Sequence, residues 1–103
     1  MKEIPKKATL ADWQAYVKEM IEEKHWTKDP NEIFVLFAEE VGELARELRK
    51  KWKYGQAGVA ESAAGELADV FMYLMDLGNH FGVDIDAAVR QKISKNEKRT
   101  WKF

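Results

Sequence analysis

Apolar residues recur along this chain at spacings of three and four, and nowhere alternate with polar ones over a strand's length. That periodicity predicts helices and no strands. Leu10, Trp13, Val17, Met20 and Ile21 form one stripe. Thr9 followed by Asp12 supplies a capping box ahead of it. The first helix is expected to run to about Lys24, with a loop over His25-Trp26-Thr27-Lys28. Asp29-Pro30-Asn31-Glu32 then reads as an N-cap, a proline at the first position and an acid at the third. The second helix continues to about Lys53 and stops at Gly55. Gly55-Gln56-Ala57-Gly58 is the obvious break. A third helix starts between Val59 and Ser62 and ends at Phe81, with Gly82 turning the chain left-handed. Asp84 caps a fourth, carrying Ile85, Ala88, Val89 and Ile93, which frays near Asn96. The expected fold is all-α, four helices in a single domain over residues 1–103.

Two acidic doublets interrupt this pattern. Glu40-Val-Gly-Glu43 lies in the second helix and Glu66-Leu-Ala-Asp69 in the third. Residues three apart share a helix face, so each doublet aims two carboxylates at one point. At about 100° per residue, Ile33, Leu44, Phe37, Leu48 and Val41 fall about 20 to 100° from Glu40, forming an apolar arc. Glu43 and Glu47 border that arc from its other side, and Glu39 lies farther out. The third helix repeats the design, with Leu77, Val70, Ala63, Phe81, Leu74 and Leu67 in the arc and Asp69, Tyr73 and His80 on the border. A solvated charge run would centre on the far side of the helix. Four carboxylates at one spot repel each other unless a cation sits between them. Hard divalent ions such as Mg²⁺ take oxygen ligands of this kind and accompany phosphate substrates.

Composition narrows the reading further. The 103 residues suit one domain. At 46% hydrophobic and 12% aromatic they can build a packed core. A formal net charge of -1 gives no basic field for nucleic acid. With no cysteine there is neither a disulfide nor a thiolate metal site. No apolar run reaches the ~18 residues of a membrane span, and MKEIPKKATL lacks the apolar stretch of a secretory signal. The expectation is a soluble cytoplasmic protein.

Glu39-Glu40-Val-Gly-Glu43-Leu followed by Glu66-Leu-Ala-Asp69-Val resembles the signature of MazG-like nucleoside triphosphate pyrophosphohydrolases. That all-α superfamily includes dimeric dUTPases, dCTP pyrophosphatases and phosphoribosyl-ATP pyrophosphatase. The likeness extends through Gly82-Val-Asp84-Ile to Lys92, Lys95-Asn96 and Arg99. It implies that Glu40, Glu43, Glu66 and Asp69 bind Mg²⁺, with Mn²⁺ as a substitute, and that Glu39, Glu40 and Glu43 serve catalysis. Glu39 would be a supporting carboxylate, a ligand for a second ion or a base for water. Lys95, Asn96 and Arg99 would contact phosphate. The implied reaction releases a nucleoside monophosphate and pyrophosphate, in nucleotide-pool housecleaning, by a homodimer or homotetramer. A dCTP-, dUTP- or phosphoribosyl-ATP-specific activity of the same superfamily is the nearest alternative.

Other residues are read beside this site. Trp26, in a loop, is a candidate base contact, His25 beside it can hydrogen-bond the base, and Tyr73 can line the pocket. Trp13 and Trp52 are expected to pack, and Asn79 to lie on the surface. Met72 and Met75 fall opposite the doublets and suggest a subunit-packing face. No phosphate-loop motif is present. A di-iron bundle needs two Glu-x-x-His units, and only Glu22-x-x-His25 qualifies. A non-catalytic helical interaction module, with the acids as surface decoration, is the competing class.

Overall fold

The computed structural model describes residues 3–98, and among these are four helices and no strand. They are α1 (Leu10–Lys24), α2 (Pro30–Tyr54), α3 (Val59–His80) and α4 (Ile85–Glu97). The local signals act as expected. Thr9 accepts from the Asp12 N–H while Asp12 accepts from the Thr9 N–H, closing the box reciprocally. Asp29 accepts from Asn31 N–H and Asp84 from Ala87 N–H. Gly55 (φ 61°) ends α2 and Gly82 (φ 66°) turns the chain into α4. Among the described residues, none of the helices is long and apolar enough to cross a membrane.

Helices α2 and α3 pack along one another, α1 lies against α3, and α4 rests on α1. The buried centre is Val17 and Ile21 of α1 against Met75 of α3, with Trp13 and Phe71 edge to face beside them at 6.1 Å. Met75 is fully buried. The subunit-packing face expected at Met72 and Met75 is therefore covered by α1 of the same chain. The apolar stripe of α1 and that methionine pair are complementary faces.

A buried polar latch holds α1 to the α3–α4 turn. Gln14 Nε2 donates to the Val83 carbonyl at 2.8 Å, and its Oε1 accepts from Ile85 N–H at 3.0 Å. Asn79 Nδ2 donates to the Gln14 carbonyl at 2.8 Å. Asn79 is thus a partner in this network and not a surface residue. Helical periodicity hid the latch, because a glutamine in an apolar stripe carries no sign of what it will meet. Glu47 clamps α2 to α3 in the same manner, accepting from Ser62 Oγ at 2.6 Å and Lys50 Nζ at 3.0 Å. These hydrogen bonds hold its carboxyl below the ordinary range.

Gly78 is where α3 admits the latch. A Cβ there would stand 2.8 Å from Ile85 Cδ1, 2.9 Å from Ile85 Cγ1 and 3.1 Å from Gln14 Nε2. Overpacking of this kind costs about 1–3 kcal/mol, against ~1 kcal/mol of helix propensity gained over glycine. Gly78→Ala is expected to lower the thermal midpoint. Gly65→Ala, also in α3 but with open space around it, should raise it. Equal midpoints for the two variants would remove the tight approach as a feature of the protein in solution.

The four helices do not close on themselves. Helix α4 contributes no buried residue. The radius of gyration is 16.4 Å, whereas a compact chain of 100 residues has about 13 Å. Part of the arc expected to be buried lies open: Val41 is 42% exposed, Leu48 65%, Leu67 55%, Leu74 42% and Phe81 70%. Trp52, expected to pack, is 80% exposed. The sequence pattern named an apolar face correctly, but the described residues supply nothing to cover this side of it.

Candidate metal and nucleotide site

The α2–α3 packing brings the two doublets together. One carboxylate oxygen from each of Glu40, Glu43 and Glu66 lies within 4.8 Å of the others. Glu40 and Glu66 are half-buried, whereas Glu43 is exposed at the mouth. Asp69, one turn beyond Glu66, stands close enough to raise the proton affinity of both half-buried acids. Glu39 is exposed on α2 and close enough to act electrostatically on Tyr73.

Charge crowding and desolvation set the protonation of this cluster. Burial, then Glu66, Glu43 and Asp69, pushes the Glu40 carboxyl up to about 7. The contact with Glu40 works to lower Glu66, but burial and the charges of Glu43 and Asp69 outweigh it, and Glu66 is also raised. Ionised Glu40 Oε2 and Glu66 Oε2 are shut off from water and accept no hydrogen bond. Holding a proton on Glu40, donated toward Glu66, is one relief; a shared cation is the other. The donor set is oxygen only and anionic, which suits Mg²⁺ or Mn²⁺.

A testable sign follows for the metal-free protein. Glu40 binds its proton more tightly folded than unfolded, so its stabilising contribution is complete below about 4.5 and is lost as pH rises to about 7. Glu47 and Asp12, both held low, run in the opposite direction. The difference in thermal midpoint between wild type and Glu40→Gln isolates the effect. Wild type should lose ground to the variant from pH 4.5 to 7, and millimolar Mg²⁺ should restore wild type but not Glu40→Gln. A difference that stays flat in pH and insensitive to Mg²⁺ would mean the carboxylates do not crowd in solution.

Beside the cluster opens a cleft of about 400 Å³ between α1, the α1–α2 loop, α2 and α3. Its walls are mainly apolar, from Val17, Met20, Ile21, Ile33, Leu36 and Met72, with Trp26 and Thr27 from the loop. Met72 thus faces the cleft, which corrects its assignment to a subunit face. Asp69, Tyr73 and Asp76 line it from α3. Burial first, then the charges of Glu40, Asp69, Asp76 and Glu39, raises the Tyr73 phenol, which stays protonated and able to donate.

His25 adopts the left-handed conformation (φ 54°) that ends α1, and the Trp26 N–H returns to the Ile21 carbonyl at 3.1 Å. His25 therefore turns the chain so that half-exposed Trp26 reaches the cleft, and does not line it itself. Lys24 Nζ stands 5.9 Å from the Trp26 ring. Lys95 and Asn96 lie on α4, which packs on α1 and gives no residue to the cleft. Arg99 falls outside the described residues. Asp76 is a cleft residue that the acidic doublets do not point to. The available signal was its position seven residues, two turns, after Asp69 on one face.

The family described as dUTPase matches residues 6–103, which include both doublets and every cleft residue. The chain belongs to the dUTPase family. Its relatives include a protein of Cyanophage S-2L named dATP/dGTP diphosphohydrolase, 30% identical over 97 residues, which are 91% of this chain and 79% of that protein. A second protein of that name, from Salmonella phage PMBT28, is 47% identical over 38 residues, 37% of this chain and 13% of its own. The family description and the relatives' names point to different bases.

Proposed function

We propose that this chain is a Mg²⁺-dependent nucleoside triphosphate pyrophosphohydrolase, cleaving between the α- and β-phosphates to give a nucleoside monophosphate and pyrophosphate. The observation that carries the reading is the pair of water-shielded, unpartnered oxygens of Glu40 and Glu66 inside a three-carboxylate cluster that opens onto a base-sized cleft. The MazG-like resemblance of the doublets and the nucleotide substrates named for the relatives support it. Mg²⁺ or Mn²⁺ held by Glu40, Glu43, Glu66 and Asp69 would neutralise triphosphate charge and polarise the attacked phosphorus.

The chain's own groups do the rest. Asp69 lines the cleft and acts electrostatically on the cluster beside it, so it would mark where phosphate ends and sugar begins. Tyr73, with its proton retained, donates to the sugar or to a phosphate oxygen. Glu39, exposed on α2 near the cluster, would accept a proton from the attacking water. Trp26 covers the base with an aromatic face, and the apolar walls exclude water from it. Turnover of non-standard nucleotides in the cellular pool is the role such a hydrolase would fill.

The test is release of pyrophosphate and monophosphate, in equal amounts, from deoxynucleoside triphosphates with Mg²⁺. Orthophosphate as the first product would place cleavage at a different bond. A non-catalytic interaction module would release neither, and its thermal midpoint would not respond to metal.

We also propose a homodimer. Phe34, Val41 and Leu48 on α2, and Leu67, Leu74 and Phe81 along α3, are exposed at steps of seven residues. Two such stripes on paired helices make a seam for a second copy, and the open radius of gyration agrees with a partner there.

A further inference from the structure

We propose that Asp76 is the base-reading residue of the cleft and selects bases that offer adjacent N–H donors, guanine above all. The proposal rests on the nucleotide-hydrolase reading of the site. Asp76 lines the cleft two helical turns from Asp69, about 10 Å along α3. That separation suits a nucleotide whose phosphates lie at the carboxylate cluster and whose base lies over α3. Tyr73 falls between them, at the level of the sugar.

Among the described residues, no side chain or backbone group hydrogen-bonds to Asp76. Burial raises its carboxyl above the ordinary range, and the charge of His80, one turn on, only partly offsets this. The Asp76 oxygens stay open to water in the cleft, so a bound base that displaces this water must bring N–H donors of its own. The walls suit the faces of a flat heterocycle, and a single convergent polar group fixes its edge.

A carboxylate accepts and does not donate, which decides among the bases. Guanine offers N1–H and the N2 amino group side by side, so both carboxylate oxygens can be engaged in parallel bonds. Adenine and cytosine offer one amino group beside a ring nitrogen that is itself an acceptor. Uracil and thymine place one N–H between two carbonyl oxygens, which a carboxylate repels. The expected order is guanine, then adenine and cytosine, then uracil and thymine.

The experiment compares kcat/KM with Mg²⁺ for dGTP, dITP, dATP and dUTP in wild type, Asp76→Asn and Asp76→Ala. The base of dITP, hypoxanthine, is guanine without the amino group, so the dGTP/dITP ratio reads the second hydrogen bond directly. Wild type should favour dGTP over dITP by about tenfold and over dUTP by about a hundredfold. In both variants the dGTP/dITP ratio should fall to near one. With Asp76→Asn, whose amide can donate, dUTP should recover relative to dGTP. A wild-type dGTP/dITP ratio near one would overturn the proposal whether or not the variants fold. So would a preference unchanged in active variants.

If wild type hydrolyses none of the four, the hydrolase reading fails by itself. Calorimetric binding of dGMP and dIMP to wild type then decides the role of Asp76. Tighter binding of dGMP sustains it, and equal or undetectable binding ends it.

Discussion

Glu40→Gln is expected to lower pyrophosphate release by about a hundredfold to a thousandfold, mostly through kcat, while leaving the helices intact. Glutamine keeps the shape of the side chain and removes the charge at the most crowded position of the cluster. Glu40 feels Glu66, Glu43 and Asp69 together, and a glutamine amide can still donate toward Glu66. The variant should therefore bind Mn²⁺ more weakly, by paramagnetic resonance, yet be more stable than wild type at pH 7 without metal. That inverse movement of activity and stability separates a metal site from ordinary structural carboxylates, whose loss lowers both. Glu47→Gln supplies the contrast, because its amide keeps one acceptor oxygen of the two that meet Ser62 and Lys50 and loses the charge paired with Lys50. It should lower the thermal midpoint while leaving metal affinity unchanged. Full activity in Glu40→Gln would remove the cluster from catalysis.

Leu67→Lys combined with Leu74→Lys is expected to convert the protein from a dimer to a monomer. Light scattering at micromolar concentration should give twice the 12.0 kDa chain mass for wild type and the single mass for the variant. Fully covering one such side chain stabilises by about 1.5–3 kcal/mol. Each chain presents six in the two stripes. Two lysines directed into the seam place like charges opposite each other across a twofold axis, where neither finds a partner. Activity at high dilution should fall in the same variant, because α2 and α3, which carry the acids, also carry the stripes. A wild-type protein running as a monomer at that concentration would leave the exposed leucines without a role and end the dimer proposal.

Gly78→Ala and the metal-free pH profile test other levels of the molecule. The first asks whether the α1 latch is as tight as its contacts, the second whether the acids crowd before any ion arrives. They can fail separately, since the latch and the acidic cluster share no residue.

The chain's own pattern determined the four helices, because capping and termination are local chemistry. Thr9 with Asp12, Asp29 with Pro30, Gly55, Gly82 and Asp84 each act within a turn of where they stand. It also determined that Glu40, Glu43, Glu66 and Asp69 border the apolar arc, since helical spacing fixes which residues share a face. Only the tertiary structure decided which apolar faces are covered. Met72 and Met75 lie under α1, whereas Leu48, Leu67 and Trp52 remain open, although both faces carry similarly apolar residues. Periodicity states that a face is apolar but not which partner it meets, because that depends on how the helices cross. The same limit hid Gln14, Asn79 and Asp76. Each is a polar residue whose meaning comes from groups more than sixty residues away or from a cleft that exists only once α1, α2 and α3 have met.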